Sequence, residues 1–200
     1  MSFIVHKHKF VFVHIPKTAG KSIEMVFRSN CQKQKVLRHT KLSQIYNQHN
    51  ETKNYKSITC VRDPWNRQYS MYLYLIQRAT MKKQTQKLTL LNKGFENYLT
   101  SDYYEHDDHK KDWFHHLYTN QIEWIDNDIK NVDFLLKFET LVHDWTKLVD
   151  ALKLPDVRHS LPKINTSQQL PDYKNFYNLQ TKKIIEKRFE RDIDTFKYTF

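Results

Sequence analysis

The sequence predicts an α/β fold in which a central parallel β-sheet is flanked by helices. Three short runs of residues are almost continuously apolar, as strands are when a sheet is covered on both faces. A helical pattern follows each run, and this alternation is typical of parallel sheets. The chain has 200 residues, of which 39% are hydrophobic, and that is enough for one sizeable core. We therefore predict a single domain over residues 1–200.

The three predicted strands cover residues 10–15, 57–61 and 133–138. The spacing of apolar residues predicts helices over residues 21–28, 68–82 and 139–152, and a further helix over residues 181–189. Residues 82–112 are polar and only weakly patterned. They fit either an insertion on the substrate side or an exposed helical excursion.

The chain is strongly basic, with 33 Lys and Arg against 22 Asp and Glu and a formal net charge of +11. A surplus of this size suits an anionic partner. Nucleic acid, an acidic membrane, an acidic polysaccharide and a multiply charged nucleotide all fit, and the composition does not choose among them.

The cellular setting is predicted from the cysteines and from the hydropathy. The two cysteines, Cys31 and Cys60, do not make a disulfide framework. The N-terminal residues MSFIVHKHKF lack the apolar stretch of a signal peptide. No apolar run reaches the roughly 18 residues of a membrane-spanning helix. We expect a cytoplasmic protein with no membrane span.

A small basic turn connects the first predicted strand to the first predicted helix. It reads Pro16-Lys17-Thr18-Ala19-Gly20-Lys21-Ser22. A helix N-terminus offers unpaired N–H groups and a partial positive charge, so a tight turn there can wrap backbone donors around a phosphate. Gly20 permits close approach of the backbone, Lys17 adds a charge, and Thr18 and Ser22 add hydroxyl groups. The alternative is an ordinary capped strand-to-helix turn.

The end of this turn also fits the end of a Walker A loop, G-x-x-x-x-G-K-[ST]. Gly20, Lys21 and Ser22 match it, but Ile15 stands where the first glycine belongs. A nucleotide kinase or triphosphatase is therefore the second-ranked interpretation, with Asp63 as a candidate ligand of Mg²⁺.

A second candidate phosphate site follows the second predicted strand, in the stretch Val61-Arg62-Asp63-Pro64-Trp65-Asn66-Arg67-Gln68-Tyr69-Ser70. Arg62 is expected at the carboxyl end of its strand, which is the ligand-binding edge of an open α/β sheet. A helix is expected to begin near Asn66, a good cap residue, with Ser70 about one turn inside it. A guanidinium and a hydroxyl suit one phosphate. The alternative is that Arg62 pairs with Asp63 or another carboxylate while Ser70 packs.

Together the two stretches resemble a known family. HIPKTAGKS followed by VRDPWNRQYS is similar to the two PAPS-binding motifs of the carbohydrate sulfotransferases, where PAPS is 3′-phosphoadenosine 5′-phosphosulfate. These motifs are usually written PKTAGTS and R-[DN]-P-x-x-R-x-x-S. KFETL at residues 137–141 and the closing segment from residue 161 to residue 198 also resemble the family. The resemblance covers nearly the whole chain.

This resemblance implies a P-loop-like three-layer sandwich with a central parallel sheet. It implies that the 3′-phosphate is held by Arg62 and Ser70. The 5′-phosphosulfate would be held by the turn, that is by Lys17, Thr18, Ala19, Gly20, Lys21 and Ser22. Lys21 stands where the family usually has Thr. The backbone donor is kept there, while the side chain loses a hydroxyl and gains a charge.

The resemblance also implies a catalytic base. Related hexuronic-acid sulfotransferases use a histidine in an H-x-x-L segment at the position of His39. A histidine with a pKa of about 6.5 accepts a proton near neutral pH. The alternative is a solvated loop histidine. His14, at the end of the first predicted strand, is the competing histidine, and we expect it to be buried against the turn. Lys17 would stabilise the oxygen that bridges the sulfuryl group and the phosphate as that bond breaks.

A metal site is not predicted. The cluster His106, Asp107, Asp108, His109, His115 and His116 lacks a recognised ligand spacing. The expected reaction is transfer of a sulfuryl group from PAPS to an acceptor hydroxyl, with PAP released and no metal required. The family favours a carbohydrate acceptor rather than nucleic acid. A non-catalytic binder of polyanions is the third interpretation. The sequence does not indicate an oligomeric state.

Overall fold

The computed structural model describes residues 1–30, 34–35, 40–100, 118–154 and 172–200. The chain divides into two compact units. The first comprises Met1–Arg62 and Asn120–Gln168, and the second comprises Asp63–Thr119 and Gln169–Phe200. The single domain that the sequence predicts over residues 1–200 stays a prediction.

Within the described residues of the first unit, five strands form one mixed sheet in the order β3-β1-β2-β4-β5. The strands are β1 (Phe3–Val5), β2 (Phe10–Val13), β3 (Gln34–Lys35), β4 (Lys56–Val61) and β5 (Phe134–Lys137). β2, β4 and β5 run parallel, whereas β1 is antiparallel to both β2 and β3. The parallel register pairs Val13 with Thr59 and Val61 with Lys137. The carboxyl ends of β2 and β4 therefore lie at the same edge.

One face of this sheet packs against two helices of the first unit, α1 (Gly20–Asn30) and α6 (Leu141–Ala151). Phe27 of α1 contacts Phe3 and Phe10 of the sheet, and its ring also meets Trp145 of α6 at 5.5 Å. Because these aromatic side chains are fully or almost fully buried, their hydrophobic burial fixes α1 directly behind the turn that follows β2.

The opposite face is also covered. Ile4, Val11 and Val13, which alternate with the residues of the first face, have no exposed surface. α2 (Leu42–Gln48) lies on this side, since the Tyr46 hydroxyl lies beside Ser57 of β4. Ser43 at the start of α2 donates to both carboxylate oxygens of Asp126, at 2.8 and 2.6 Å. Burial on both faces explains why β2 is a continuous apolar run and why β4 is buried from Ser57 to Val61.

The second unit is helical where it is described. Its helices are α3 (Pro64–Met81), α4 (Thr85–Leu91), α5 (Phe95–Thr100), α7 (Leu179–Arg188) and α8 (Glu190–Phe196). Its core is rich in aromatic residues, among which Tyr72, Phe95 and Tyr98 contact one another. Tyr177 donates a hydrogen bond to the carbonyl oxygen of Trp65 at 2.8 Å, which ties the C-terminal segment to the first turn of α3.

The structure confirms the predicted α/β class, the three parallel strands and the flanking helices. The sheet is mixed because β1 and β3 add two antiparallel strands that the sequence patterns did not reveal. β1 has only three residues and is followed by the polar turn His6–His8, with Lys9 in the left-handed region at φ 50°. A run this short carries too little periodicity to be recognised as a strand.

Candidate active site

The turn between β2 and α1 is closed by its own hydrogen bonds. The Thr18 hydroxyl donates to the carbonyl oxygen of Ile15 at 2.9 Å. The backbone N–H groups of Ser22 and Ile23 donate to the carbonyl oxygen of Ala19 at 2.9 and 3.2 Å. These bonds start α1 at Gly20, so the first backbone N–H groups of the helix face the edge of the sheet where β2 ends.

Two non-glycine residues of the turn adopt left-handed backbone conformations, Lys17 with φ 69° and Ala19 with φ 66°. This conformation disfavours a residue with a Cβ atom by about 1–2 kcal/mol. Ala19 stands directly before helical Gly20, and residues of alternating handedness make successive N–H groups converge on an anion-binding concavity. Strain of this kind concentrates at functional sites.

Gly20 is required for a steric reason. A Cβ atom at this position would lie 2.3 Å from Cδ2 and 2.5 Å from Nε2 of His14, far inside van der Waals contact. The His14 imidazole therefore packs directly on the Gly20 backbone. Close backbone approach at Gly20, which the sequence predicted for a ligand, is in this structure used by a side chain of the protein itself.

Lys17 and Arg62 bring two positive charges together at this edge. Nη1 of Arg62 donates to the Lys17 carbonyl oxygen at 3.1 Å, and the guanidinium carbon lies 3.9 Å from the centre of the Phe138 ring. Arg62 is buried, with 5% of its surface exposed. Burial, and secondarily the Arg62 charge, lower the pKa of Lys17 from 10.5 to about 8. A cation pair of this kind favours an anionic ligand.

The other predicted turn residues differ in what they expose. Lys21 is exposed, whereas Thr18, Ala19, Gly20 and Ser22 are buried. The Thr18 hydroxyl proton is directed to Ile15, so this side chain shapes the turn. Phosphate recognition here would rely on backbone N–H groups and on Lys17 more than on hydroxyl side chains.

Asp63 begins the second unit and caps α3. Its Oδ1 accepts from the backbone N–H of Asn66 at 3.0 Å, and its Oδ2 accepts from the Tyr173 hydroxyl at 2.9 Å. The prediction that the helix starts near Asn66 is wrong, because α3 starts at Pro64. Proline is favoured at the first helical position, where no N–H is needed. The helix cap and the Tyr173 hydroxyl together engage both oxygens of the carboxylate that the kinase interpretation assigned to Mg²⁺.

The two remaining polar residues of the second motif also lie in the second unit. Arg67 is fully buried and donates from Nη1 to the Thr119 carbonyl oxygen at 3.1 Å. Burial lowers the pKa of Arg67 to about 10, and the charge of Asp192 opposes this shift. Arg67 is therefore a structural residue of its unit. Ser70 is half-buried on α3, and its predicted contact with a 3′-phosphate stays a prediction.

A family model described as the sulfotransferase family matches residues 1–199. The chain belongs to the sulfotransferase family. The match includes the turn after β2, Arg62 and the whole of α3. No curated protein and no solved structure matched the chain. Membership supports an enzyme that transfers sulfuryl groups.

Several predicted features of this sulfotransferase lie outside the described residues. They include the candidate base His39 and the cluster from His106 to His116. Among the residues that are described, no group of three or more His, Cys, Asp or Glu side chains is arranged to hold a metal. No helix in the described part of the chain is long and apolar enough to cross a membrane. The predicted cytoplasmic location stays a prediction.

Two residues next to Arg62 were not assigned to the site from the sequence. Gln121 hydrogen-bonds the backbone of Arg62, and Phe138 lies under its guanidinium. The His14 ring, by contrast, lies against the turn at Gly20 as the sequence predicted. Phe138 stands in the KFETL stretch that resembles the family, which was a usable signal. Nothing in the sequence linked Gln121 to Arg62, because 59 positions separate them.

Proposed function

We propose that this sulfotransferase takes its sulfuryl group from PAPS and transfers it to an acceptor hydroxyl on a carbohydrate, releasing PAP. The observation that carries the proposal is the pair of cations, Lys17 and Arg62, at the carboxyl ends of two adjacent parallel strands. In open α/β sheets this edge is where ligands bind. A nucleotide with separate 5′ and 3′ anionic groups matches two positive groups on two neighbouring strand ends.

The electrostatics of the site support an anionic ligand. Burial and the neighbouring Arg62 charge lower the pKa of Lys17 to about 8, so these surroundings disfavour its charged form. An anion beside Lys17 would raise this pKa again, because an opposite charge stabilises the ammonium. Donor binding and full protonation of Lys17 are therefore expected to be coupled.

The turn supplies a second source of positive potential. The N–H groups at the start of α1 carry the partial positive charge of the helix, and the left-handed residues on either side of Thr18 bend the backbone around them. Such a turn at a helix N-terminus is a built anion site. We assign it the 5′-phosphosulfate, with Arg62 and Ser70 assigned to the 3′-phosphate.

PAPS would supply an activated sulfuryl group. During transfer the acceptor oxygen forms a bond to sulfur while the bond from sulfur to the phosphate oxygen breaks. Lys17 stabilises the negative charge that develops on that phosphate oxygen, and the turn N–H groups hold the phosphate. His39 takes the proton of the acceptor hydroxyl. Because fixed side-chain cations do here what Mg²⁺ does in kinases, we propose that transfer requires no added metal.

The test is transfer from ³⁵S-labelled PAPS in the presence of EDTA to three acceptor classes, namely glycans, glycolipids and small alcohols. We expect labelled glycan and an equal amount of PAP. Lys17→Ala should reduce turnover by about 10²–10³-fold, whereas removal of the exposed Lys53 by Lys53→Ala should change it less than about 2-fold. Transfer only to small alcohols would refute the carbohydrate acceptor. Lys17→Ala turnover above about a tenth of wild type would refute the role of Lys17.

A further inference from the structure

Gln121 makes a two-point contact with the backbone of Arg62. The Arg62 N–H donates to Oε1 of Gln121 at 2.9 Å, and Nε2 of Gln121 donates to the Arg62 carbonyl oxygen at 2.8 Å. Gln121 has no exposed surface. The contact lies within the first unit, since both residues belong to it.

This contact replaces a missing strand neighbour. The ladder between β4 and β5 ends where Val61 pairs with Lys137, one residue before Arg62. At Arg62 a side-chain amide supplies the donor and the acceptor that a neighbouring strand would otherwise supply. A buried backbone group without a partner is strongly disfavoured, so the Gln121 contact fixes where the chain leaves the sheet.

We propose that Gln121 is a positioning residue for Arg62, and that it sets how well the Arg62 guanidinium meets the 3′-phosphate. This inference rests on the proposed function. The guanidinium end of Arg62 is already located by the Lys17 carbonyl oxygen and the Phe138 ring. Gln121 locates the other end, at the backbone. The arginine is thus held at both ends before a ligand arrives, which limits the ordering that binding requires.

Glutamine is specifically suited to this task. Its amide presents one acceptor and two donor hydrogens, which match one backbone N–H and one backbone carbonyl group. Methionine has a similar length and neither function. Asparagine keeps the amide on a side chain that is one methylene shorter and is expected not to span both bonds. Gln121→Met and Gln121→Asn therefore separate the volume of the side chain from its two hydrogen bonds.

The experiment measures the affinity of each variant for PAP and for adenosine 5′-phosphosulfate, which lacks the 3′-phosphate. We expect Gln121→Met to weaken PAP by about 10-fold, the range of one hydrogen bond to a charged group. Adenosine 5′-phosphosulfate should change less than about 2-fold. In an Arg62→Ala background the same substitution should change PAP affinity less than about 2-fold, because a positioning residue has no effect once its target is absent.

The control is Ser57→Ala, at the opposite end of β4. Ser57 is also buried and bonds the Asn131 carbonyl oxygen and Asp133. It should lower the stability of the protein by an amount similar to Gln121→Met, because both substitutions remove buried hydrogen bonds, and leave the ratio of the two affinities unchanged. An unchanged ratio in Gln121→Met would show a merely structural role and overturn the inference.

Two further outcomes are distinguishable. If the wild-type protein does not bind PAP more tightly than adenosine 5′-phosphosulfate, the proposed function fails and this inference fails with it. If wild type prefers PAP and Arg62→Ala loses that preference while both Gln121 variants keep it, only the role of Gln121 fails. If the Gln121 variants do not fold, hydrogen exchange of the Arg62 backbone amide in the wild-type protein tests the inference instead. Slow exchange supports the contact of Gln121 with Arg62, and exchange at the rate of an open loop overturns it.

Discussion

The charge of Lys17 is expected to lower the free energy of unfolding by a measurable amount. Burial and Arg62 lower its pKa from 10.5 to about 8. At about 1.4 kcal/mol per pKa unit this corresponds to about 3 kcal/mol against the charged form. Lys17 is only half-buried, so solvent screening reduces the effect to about 1–2 kcal/mol. Lys17→Met keeps the apolar stem and removes the charge. We expect the variant to be more stable than wild type by about this amount at pH 7 and to have a turnover lower by about 10²–10³-fold.

The effect of Lys17 on the free energy of unfolding should depend on pH. The folded-state pKa of Lys17 lies below the unfolded-state value, so the unfolded chain binds the proton more tightly between about pH 8 and pH 10.5. The destabilisation of wild type is fully present below pH 8 and decreases as the pH rises through that window. The stability difference between Lys17→Met and wild type should therefore be roughly halved at pH 9.5.

The assay is urea unfolding of both proteins at pH 7.0 and pH 9.5 without nucleotide. Lys21→Met is the matched control, because Lys21 belongs to the same turn and its side chain is exposed. It should change the free energy of unfolding by less than about 0.5 kcal/mol. If Lys17→Met is less stable than wild type at pH 7, or if the difference between them does not depend on pH, the Lys17 charge does not destabilise the folded protein.

Three further substitutions test the turn, the second phosphate site and the base. Gly20→Ala should lower the free energy of unfolding by about 1–3 kcal/mol, because the new Cβ atom overpacks against His14. Adding His14→Ala should restore at least half of the lost stability. If Gly20→Ala alone unfolds at the same urea concentration as wild type, the clash is contradicted. Arg62→Ala should weaken PAP by about 10- to 150-fold and adenosine 5′-phosphosulfate much less in calorimetric titrations, and equal losses would place Arg62 on the 5′ side or in the fold. His39→Ala should lower kcat by about 10²–10⁴-fold, remove the acid limb of the pH–rate profile and barely change PAP affinity. Near-normal turnover would exclude His39 as the base.

The parts of the fold that the sequence predicted are those where one physical rule dominates. β2 and β4 are buried on both faces, and β5 buries Leu136 in the core with Phe134 packed against it, so their apolar runs marked them without reference to the rest of the chain. The start of α3 was misplaced because two cap residues, Asp63 and Asn66, compete there. The Tyr173 hydroxyl bond to Asp63 helps to decide between them, and it joins positions that are 110 residues apart.

In the candidate site, too, the features that the local sequence predicts differ from those that depend on distant contacts. The turn from Lys17 to Ser22 and the position of Arg62 follow from local order along the chain, namely a strand, a polar turn and a helix. The packing of His14 against the turn follows from the same local order. The contact of Gln121 with Arg62 does not. That contact depends on where the sheet ends and on which distant side chain reaches it, and no periodicity or motif spacing encodes that information.

The most direct test of the central claim is calorimetric titration of the wild-type protein with PAP in EDTA, compared with ADP in the presence of Mg²⁺. Two cations on adjacent strand ends predict saturable binding of PAP without metal, tighter than ADP with Mg²⁺ by at least about 10-fold, the contribution of one charge-assisted contact. The preference should disappear in Arg62→Ala. Tighter binding of ADP that depends on Mg²⁺ would contradict the account and favour a nucleotide kinase or triphosphatase.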